Sequence, residues 1–365
     1  MITRSEVERI GLHAAFWAAT LVRDLRGLAA PARLDRQPLT DVNFEPTNLC
    51  NANCVFCGYQ FQERSHAPIP VELGREIIAA AKRAGVTRLG LTPMVGEPLV
   101  HRRLEELVRE AVAPPQPLQV GLTTNGILLD PARYRSLVDA GVTSFTVSMT
   151  YPDADEYLRI YRSKKLKQLV ANLEGILDVY EPGVTFSLGI RTPRRDWEKH
   201  PLFRRARARG WEVVRNRLYD DWSGRTGAVM EAEGLPTRPN RPKRLPCLMT
   251  IAGPHFLSDG RATACGCRDL DGKSDLALAP AELLDDMLAV YATGAVDRLR
   301  ERFRAGDAPE ICQSCRHYNP TFVGEPLGLR AQQLAADVRA AVTDLATTLV
   351  AAGRGPREVA TGSET

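Results

Sequence analysis

Three cysteines within eight residues, Cys50, Cys54 and Cys57, form a C-x3-C-x2-C run inside residues 44–59, FEPTNLCNANCVFCGY. Three thiolates on one loop can hold three irons of a four-iron cluster and leave the fourth iron without a protein ligand. A cluster ligated by four cysteines transfers electrons, whereas an open iron can coordinate a small molecule. The spacing differs from the C-x2-C-x2-C-x3-C ferredoxin run and from paired C-x2-C zinc sites. A partial zinc site, or three small buried side chains, are the competing readings. Five further cysteines follow: Cys247, Cys265, Cys267, Cys312 and Cys315. Cys312 and Cys315 make a C-x2-C pair. Four thiolates from two separated elements form a closed site that suits a four-iron cluster or structural zinc, and spacing alone favours zinc.

The elements that must position these thiols can be read from the pattern of residues. Short β-rich runs at 41–45, 88–92, 119–124, 144–150, 185–190 and 211–217 alternate with helical patterns at 71–84, 102–112, 131–140, 166–179 and 201–208. Repeats of this kind imply parallel strands with right-handed crossovers, and six strands fall short of the eight of a closed barrel. Chemistry in parallel α/β folds sits at the carboxyl ends of the strands, and the first cysteine loop follows the first strand. Arg191, Tyr219 and Asp220, at the ends of the fifth and sixth strands, are candidate substrate contacts. Residues 233–246 read as a Pro/Arg/Gly linker, Asp259-Gly260 as a hairpin turn, and 280–303 as helical. The first forty residues read as two helical stretches, including an amphipathic one around Trp17.

Composition narrows the class. Of 365 residues, 44% are hydrophobic and 25% charged, with a formal net charge of +4. Only seven of the 48 basic residues are Lys, and the arginines form no basic block, which argues against nucleic-acid binding. The apolar run 14–22 is too short to span a bilayer and is flanked wrongly for a secretory signal, so no membrane partner is expected. The expected location is cytoplasmic, a reducing compartment where grouped cysteines serve metals more often than disulfides.

The cysteine loop after the first strand, together with the six βα repeats, resembles the radical S-adenosylmethionine (SAM) enzymes. The resemblance implies an α/β fold, an open parallel (β/α)6 partial barrel, with a small C-terminal auxiliary-cluster domain. It implies a 4Fe-4S cluster on Cys50, Cys54 and Cys57 whose open iron chelates SAM, with Phe56 packed near the adenine. Gly96 and Glu97 match the segment that holds the SAM amino group, although Val95 replaces the usual first glycine. Ser148 and Arg162 match the positions that meet the ribose and the methionine carboxylate. The C-x12-G-x4-C then C-x2-C order resembles the twitch domain, a shortened SPASM domain. That implies an auxiliary 4Fe-4S cluster on Cys247, Cys265, Cys312 and Cys315. Cys267 is then left over, as a catalytic hydrogen-atom donor or as a buried thiol or substitute ligand.

On this resemblance the domains run 1–40 (helical extension), 41–235 (partial barrel), 236–320 (auxiliary cluster) and 321–365 (helix, then a disordered tail). One electron, from a flavodoxin- or ferredoxin-type donor, splits SAM and yields a 5′-deoxyadenosyl radical. The expected substrate is a small molecule, a sugar or aminocyclitol, dehydrogenated or epimerised at a secondary carbinol. A peptide substrate is the alternative, and a non-catalytic iron-sulfur or zinc protein the third reading.

Overall fold

The computed structural model describes residues 4–31, 39–92 and 94–353. A long helix, α1 (Arg4–Leu28), precedes six strands: β1 (Asp41–Phe44), β2 (Arg88–Leu91), β3 (Gln119–Thr124), β4 (Val142–Met149), β5 (Thr185–Ile190) and β6 (Glu212–Arg215). They lie side by side in chain order, all parallel. Parallel neighbours need a crossover between them, usually a helix. The crossovers carry α2 (Val71–Arg83), α3 (Leu104–Val112), α4 (Pro131–Ala140), α5 (Ala154–Tyr161), α6 (Leu166–Val179) and α7 (Pro201–Ala208). α5 is the one crossover helix outside the sequence expectation. It is short, and Asp153 caps it by accepting the Asp155 and Glu156 N–H groups.

The core lies between strands and helices. Val42, Phe44, Leu89, Leu91, Val120, Phe145, Val147 and Leu188 are fully buried, as are Ile77, Leu107, Leu137, Leu173 and Phe203 on the facing helices. Each such burial stabilises by about 1.5–3 kcal/mol. Packing rather than propensity therefore holds eight-residue helices such as α7 in place.

The sheet stays open because the free edge of β1 is taken. β7 (His255–Phe256) pairs with it in parallel, and β8 (Ala262–Thr263) and β9 (Ala277–Leu278) extend the sheet antiparallel. The order is β6-β5-β4-β3-β2-β1-β7-β8-β9, so the C-terminal strands continue the barrel sheet. The expected Asp-Gly turn joins β7 to β8, with Gly260 at φ +88°. The C-terminal segment also carries α8 (Gly227–Ala232), α9 (Leu248–Ile251), α10 (Pro280–Ala292), α11 (Ala295–Arg304), α12 (Glu310–Gln313) and α13 (Leu327–Gly353). The single helix expected over 280–303 is broken at Gly294, where the backbone leaves the helical region.

α1 packs along α13. Asp344 on α13 accepts from the Trp17 indole at 2.9 Å and meets His13 Nδ1 at 2.9 Å. Deeper in the seam, Arg241 bridges Asp24 of α1 (2.8 Å) and Asp337 of α13 (2.6 Å). One helix precedes β1 among the described residues, and residues 32–38, within the expected second helical stretch, lie outside them. The expected tail lies outside the described residues. No described helix is long and apolar enough to cross a membrane.

A candidate site with two cysteine groups

The first cysteine loop leaves β1 and is fixed at its root by side chains. Asn48 donates to the Ser65 carbonyl (2.9 Å) and accepts from the Ala67 N–H (2.8 Å), while Thr47 Oγ1 accepts from the Leu49 N–H. The loop is tied to α5 by the Val55 N–H and the Ile160 carbonyl. Cys54 is buried, and Cys50 and Cys57 are half-buried. All three thiols are pushed up from their ordinary range, chiefly by burial, Cys50 to about 12. For Cys54 the next causes are the charges of Cys57 and Cys50. A trio this close resists ionising without positive charge beside it, and iron supplies that charge. The donor set therefore fits the three-thiolate cluster.

One cation of the protein already lies there. The Arg191 guanidinium lies 4.6 Å from the centroid of the Phe56 ring, donates to Ser148 Oγ, and favours ionisation of Cys54 and Cys57. Ser148 Oγ also meets the Tyr161 hydroxyl at 2.9 Å, and Tyr161 packs edge-on against Phe56. Phe56, Ser148 and Arg191 thus form one group beside the thiols. Arg162 is not part of it. Its backbone, at φ +49°, ends α5 in the left-handed region, and among the described residues its exposed side chain reaches Gln60 Oε1 at 3.4 Å.

Gly96 and Glu97 lie behind the loop. Gly96, at φ +114°, passes so close to it that a Cβ would stand 2.2 Å from the Thr47 carbonyl oxygen. Glu97 donates its N–H to the Leu49 carbonyl at 2.7 Å. Its buried carboxylate accepts from Thr124 Oγ1 (2.5 Å), the Asn125 N–H (2.7 Å) and the Leu99 N–H (3.2 Å). Burial outweighs these three donors and raises its pKa to about 7. The carboxylate is therefore engaged by the protein, joining the loops after β2 and β3. Asn125 donates to Asn51 Oδ1 at 2.6 Å and approaches Cys50 Sγ at 3.9 Å.

The second group gathers the remaining five thiols. The segment around Cys247 runs beside 319–321, with the Leu248 N–H on the Asn319 carbonyl and the Thr321 N–H on the Pro246 carbonyl. Cys312 lies on α12, and the Cys315 N–H turns back onto its carbonyl at 3.1 Å. Cys247, Cys265, Cys312 and Cys315 act on one another electrostatically, and burial raises the thiols of Cys247 and Cys312. Cys267 lies against Cys265, in a turn rather than an extended strand, and that contact is the largest cause raising Cys265. Lys243, Arg238 and Arg268 surround the group, and burial lowers the Lys243 ammonium to about 8. Three cations around clustered thiols offset the charge of thiolate ligands. Among the described residues no three His, Cys, Asp or Glu side chains converge on a single-ion position.

The remaining candidate contacts are engaged. The Tyr219 hydroxyl donates to the Asn216 carbonyl at 2.6 Å, and Asp220 is paired with Arg268. A cavity of about 860 Å³ opens where α1 crosses the unpaired edge of β6, lined by Gly11, Leu12, Arg215, Asn216, Arg217 and Tyr219 among others. Tyr219, on the wall of this cavity, feels the charge of Arg191. The cavity was not legible in the sequence, since nothing in the α1 pattern says which strand edge it covers. The Arg-Asn-Arg run at 215–217 was the available signal.

Residues 44–200 match the family described as the Radical SAM superfamily. GTP 3′,8-cyclase of Pelotomaculum thermopropionicum is 38% identical over 135 residues, 36% of this chain and 41% of that protein. GTP 3′,8-cyclase of Chlorobaculum tepidum is 28% identical over 205 residues, 49% of this chain and 61% of that protein. The chain thus spans less than two thirds of these relatives. In fold it is similar to BtrN in complex with AdoMet and 2-DOIA, with a TM-score of 0.52 and 14% identity over 78% of this chain and 95% of that one. It is also similar to Streptococcus suis SuiB bound to S-adenosylmethionine, with a TM-score of 0.51 and 16% identity over 72% of this chain and 68% of that one. The curated relatives correct the expected substrate. They carry the name GTP 3′,8-cyclase, which supports neither carbinol dehydrogenation or epimerisation on a sugar or aminocyclitol nor peptide maturation. The spacing behind that expectation describes cysteine ligation and carries no information on substrate. A match to this family implies SAM and a 4Fe-4S cluster for the matched residues. This chain contains a domain of the radical SAM superfamily, over residues 44–200.

Proposed function

We propose that the chain cleaves SAM reductively at Cys50, Cys54 and Cys57, and uses the radical on an anionic small molecule that enters through the cavity under α1. The observation that carries the reading is the single half-buried group formed by three thiols, Phe56, Ser148 and Arg191. When bound, the 4Fe-4S cluster supplies the electron that splits SAM into methionine and a 5′-deoxyadenosyl radical. The protein orients and excludes water. Arg191, a planar fork already near the thiols, is the group to meet a carboxylate of SAM, and Phe56 the surface for its adenine. Gly96 and Glu97 hold the loop that presents the thiols.

A second 4Fe-4S cluster on Cys247, Cys265, Cys312 and Cys315, in a twitch-like auxiliary segment, is part of the proposal, with Cys267 a neighbouring thiol or substitute ligand. The electron comes from a flavodoxin- or ferredoxin-type donor. Arg215 and Arg217 line the cavity together with Arg9, Arg195, Glu6, Glu8, Glu198 and Glu231, and Arg215 donates to the Thr192 and Pro193 carbonyls. An anionic substrate is therefore proposed from the relatives' name and not from the lining. The relatives' name makes GTP the first nucleotide to try.

The test is anaerobic reconstitution with iron and sulfide, reduction, and measurement of 5′-deoxyadenosine with and without GTP. The wild type is expected to form it, and a Cys50→Ala, Cys54→Ala, Cys57→Ala variant to lose it while retaining iron at the second group. A protein that takes up only zinc and forms no 5′-deoxyadenosine overturns the proposal. Formation that ignores GTP, with GTP unconsumed, keeps the SAM chemistry and removes the nucleotide.

A further inference from the structure

The turn between β6 and α8 holds three consecutive residues in the left-handed region: Trp222 at φ +50°, Ser223 at +61° and Gly224 at +87°. Residues with a Cβ seldom adopt this backbone, and it persists where surrounding contacts impose it. Here the contacts come from both cysteine groups. The Trp222 indole N–H donates to the Phe56 carbonyl at 2.9 Å, between Cys54 and Cys57. The same ring lies on Gly58, where a Cβ would stand 2.9–3.0 Å from three of its atoms.

From the other side, Arg268 sits 5.1 Å from the Trp222 ring centroid and is paired with Asp220. Arg268 is buried, donates to the Cys267 carbonyl, and feels the charge of Cys315. Arg316, next to Cys315, donates to Asp221 Oδ2 at 2.7 Å. The Trp222 N–H returns to Asp220 Oδ2 at 2.9 Å and closes the turn. Three successive residues are thus tethered: Asp220 and Asp221 to the second cysteine group, Trp222 to the first.

We infer that Asp220–Trp222 is a strut coupling the two cysteine groups, with Trp222 a positioning residue through which loading of the second group sets SAM affinity at the first. The inference rests on both groups holding clusters as proposed above. Ligation of Cys312 and Cys315 fixes the turn that carries Arg316 and, through it, Asp221 and the adjoining Trp222. The indole then steadies the carbonyl between Cys54 and Cys57. The two sites then share a coupling free energy, and coupling is reciprocal.

A double-mutant cycle tests it. SAM dissociation constants are measured on anaerobically reconstituted, unreduced protein for four chains: wild type, Cys247→Ser with Cys312→Ser, Trp222→Phe, and all three together. Trp222→Phe keeps an aromatic ring while removing the N–H donor and part of the indole, and Cys315 is left in place. Emptying the second group is expected to weaken SAM binding roughly 5- to 20-fold in the wild type, within the usual range of coupling. Trp222→Phe is expected to weaken it similarly, and the combined variant no more than either alone. The electron paramagnetic resonance spectrum of the reduced, SAM-bound first cluster is expected to change on emptying the second group in the wild type and not in Trp222→Phe. Additive effects, or SAM affinity in the wild type indifferent to the second group, overturn the strut. Should Trp222→Phe fail to fold, Asp221→Asn runs through the same cycle. A wild type that binds no SAM overturns the proposed function instead.

Discussion

Replacing Gly96 with alanine tests whether its place is set by the close approach of two loops. The added Cβ would stand 2.2 Å from the Thr47 carbonyl oxygen and 2.9 Å from Asn48 Cα, both backbone atoms that no rotamer change can move. The residue also sits at φ +114°. Left-handed backbone costs a non-glycine residue about 1–2 kcal/mol. Overpacking against atoms that cannot yield adds about 1–3 kcal/mol. The expected loss is roughly 2–5 kcal/mol, together with the Glu97 N–H to Leu49 carbonyl bond that holds the cysteine loop. Gly183 provides the control. It has φ +125° with nothing within 4 Å of a Cβ, so its alanine variant carries the backbone cost alone. Urea unfolding of the reduced, cluster-free proteins gives both values, and SAM binding after reconstitution gives the functional effect. Gly96→Ala should lose more stability than Gly183→Ala, and it alone should weaken SAM binding. Equal losses in the two variants, or unaltered SAM affinity in Gly96→Ala, would refute the collision argument.

Arg191→Met should weaken SAM binding by roughly 10- to 150-fold, the loss of a charge-assisted contact, while Arg162→Met should change it less than about twofold; equilibrium binding decides between them. Glu97→Gln should destabilise the cluster-free protein by about 1–3 kcal/mol, because the amide turns one accepting position into a donor facing Thr124 or the Asn125 N–H. Asp24 is raised from 3.8 to about 9, by burial first and then by Asp337. Its folded state therefore favours the protonated form. The stability it contributes is full below its unfolded pKa and falls as pH rises toward 9, by up to about 1.4 kcal/mol per unit for one proton. Thermal unfolding of Asp24→Asn should show a flatter decline from pH 5 to 9, and an unchanged slope would contradict this.

The barrel was legible because buried parallel strands read as short apolar runs separated by helical periods. The bounds of α4, α6 and α7 match the expectation, and strand ends shift by one or two residues. Other features left no trace. β7 and β8 have two residues each, too few for any period, so their addition to β1 was invisible. Sequence spacing places Arg162 near a functional strand but cannot say which way it points, and the left-handed end of α5 turns it outward. Arg191 follows β5 directly, and the pleat directs it to Ser148 on the neighbouring strand. Tyr219 and Asp220 look free in sequence because their partners, the Asn216 carbonyl and Arg268, are a backbone atom and a residue 48 positions away.

The joining of the C-terminal segment to the barrel rests on one buried carboxylate. Glu45, directly after β1, pairs with Arg64 at 2.9 Å and accepts from the Ser258 N–H in the turn between β7 and β8. It also meets the Val95 N–H, in the loop after β2, at 3.4 Å. Arg64 continues to the Leu270 carbonyl at 2.8 Å. Burial raises the pKa of Glu45 and Arg64 opposes the rise, so the ion survives only while both partners are in place. The root of the first cysteine loop, the loop behind it and the turn leading toward Cys265 therefore share a single desolvated pair. Removing one partner would strand the other in the core, at a cost of about 3–5 kcal/mol. With β7 paired along β1 as well, the segment carrying the second cysteine group is built into the strand that carries the first. A displacement at Cys265 has short, stiff routes to Cys50 through Glu45 and through Trp222, and the two groups belong to one packed unit.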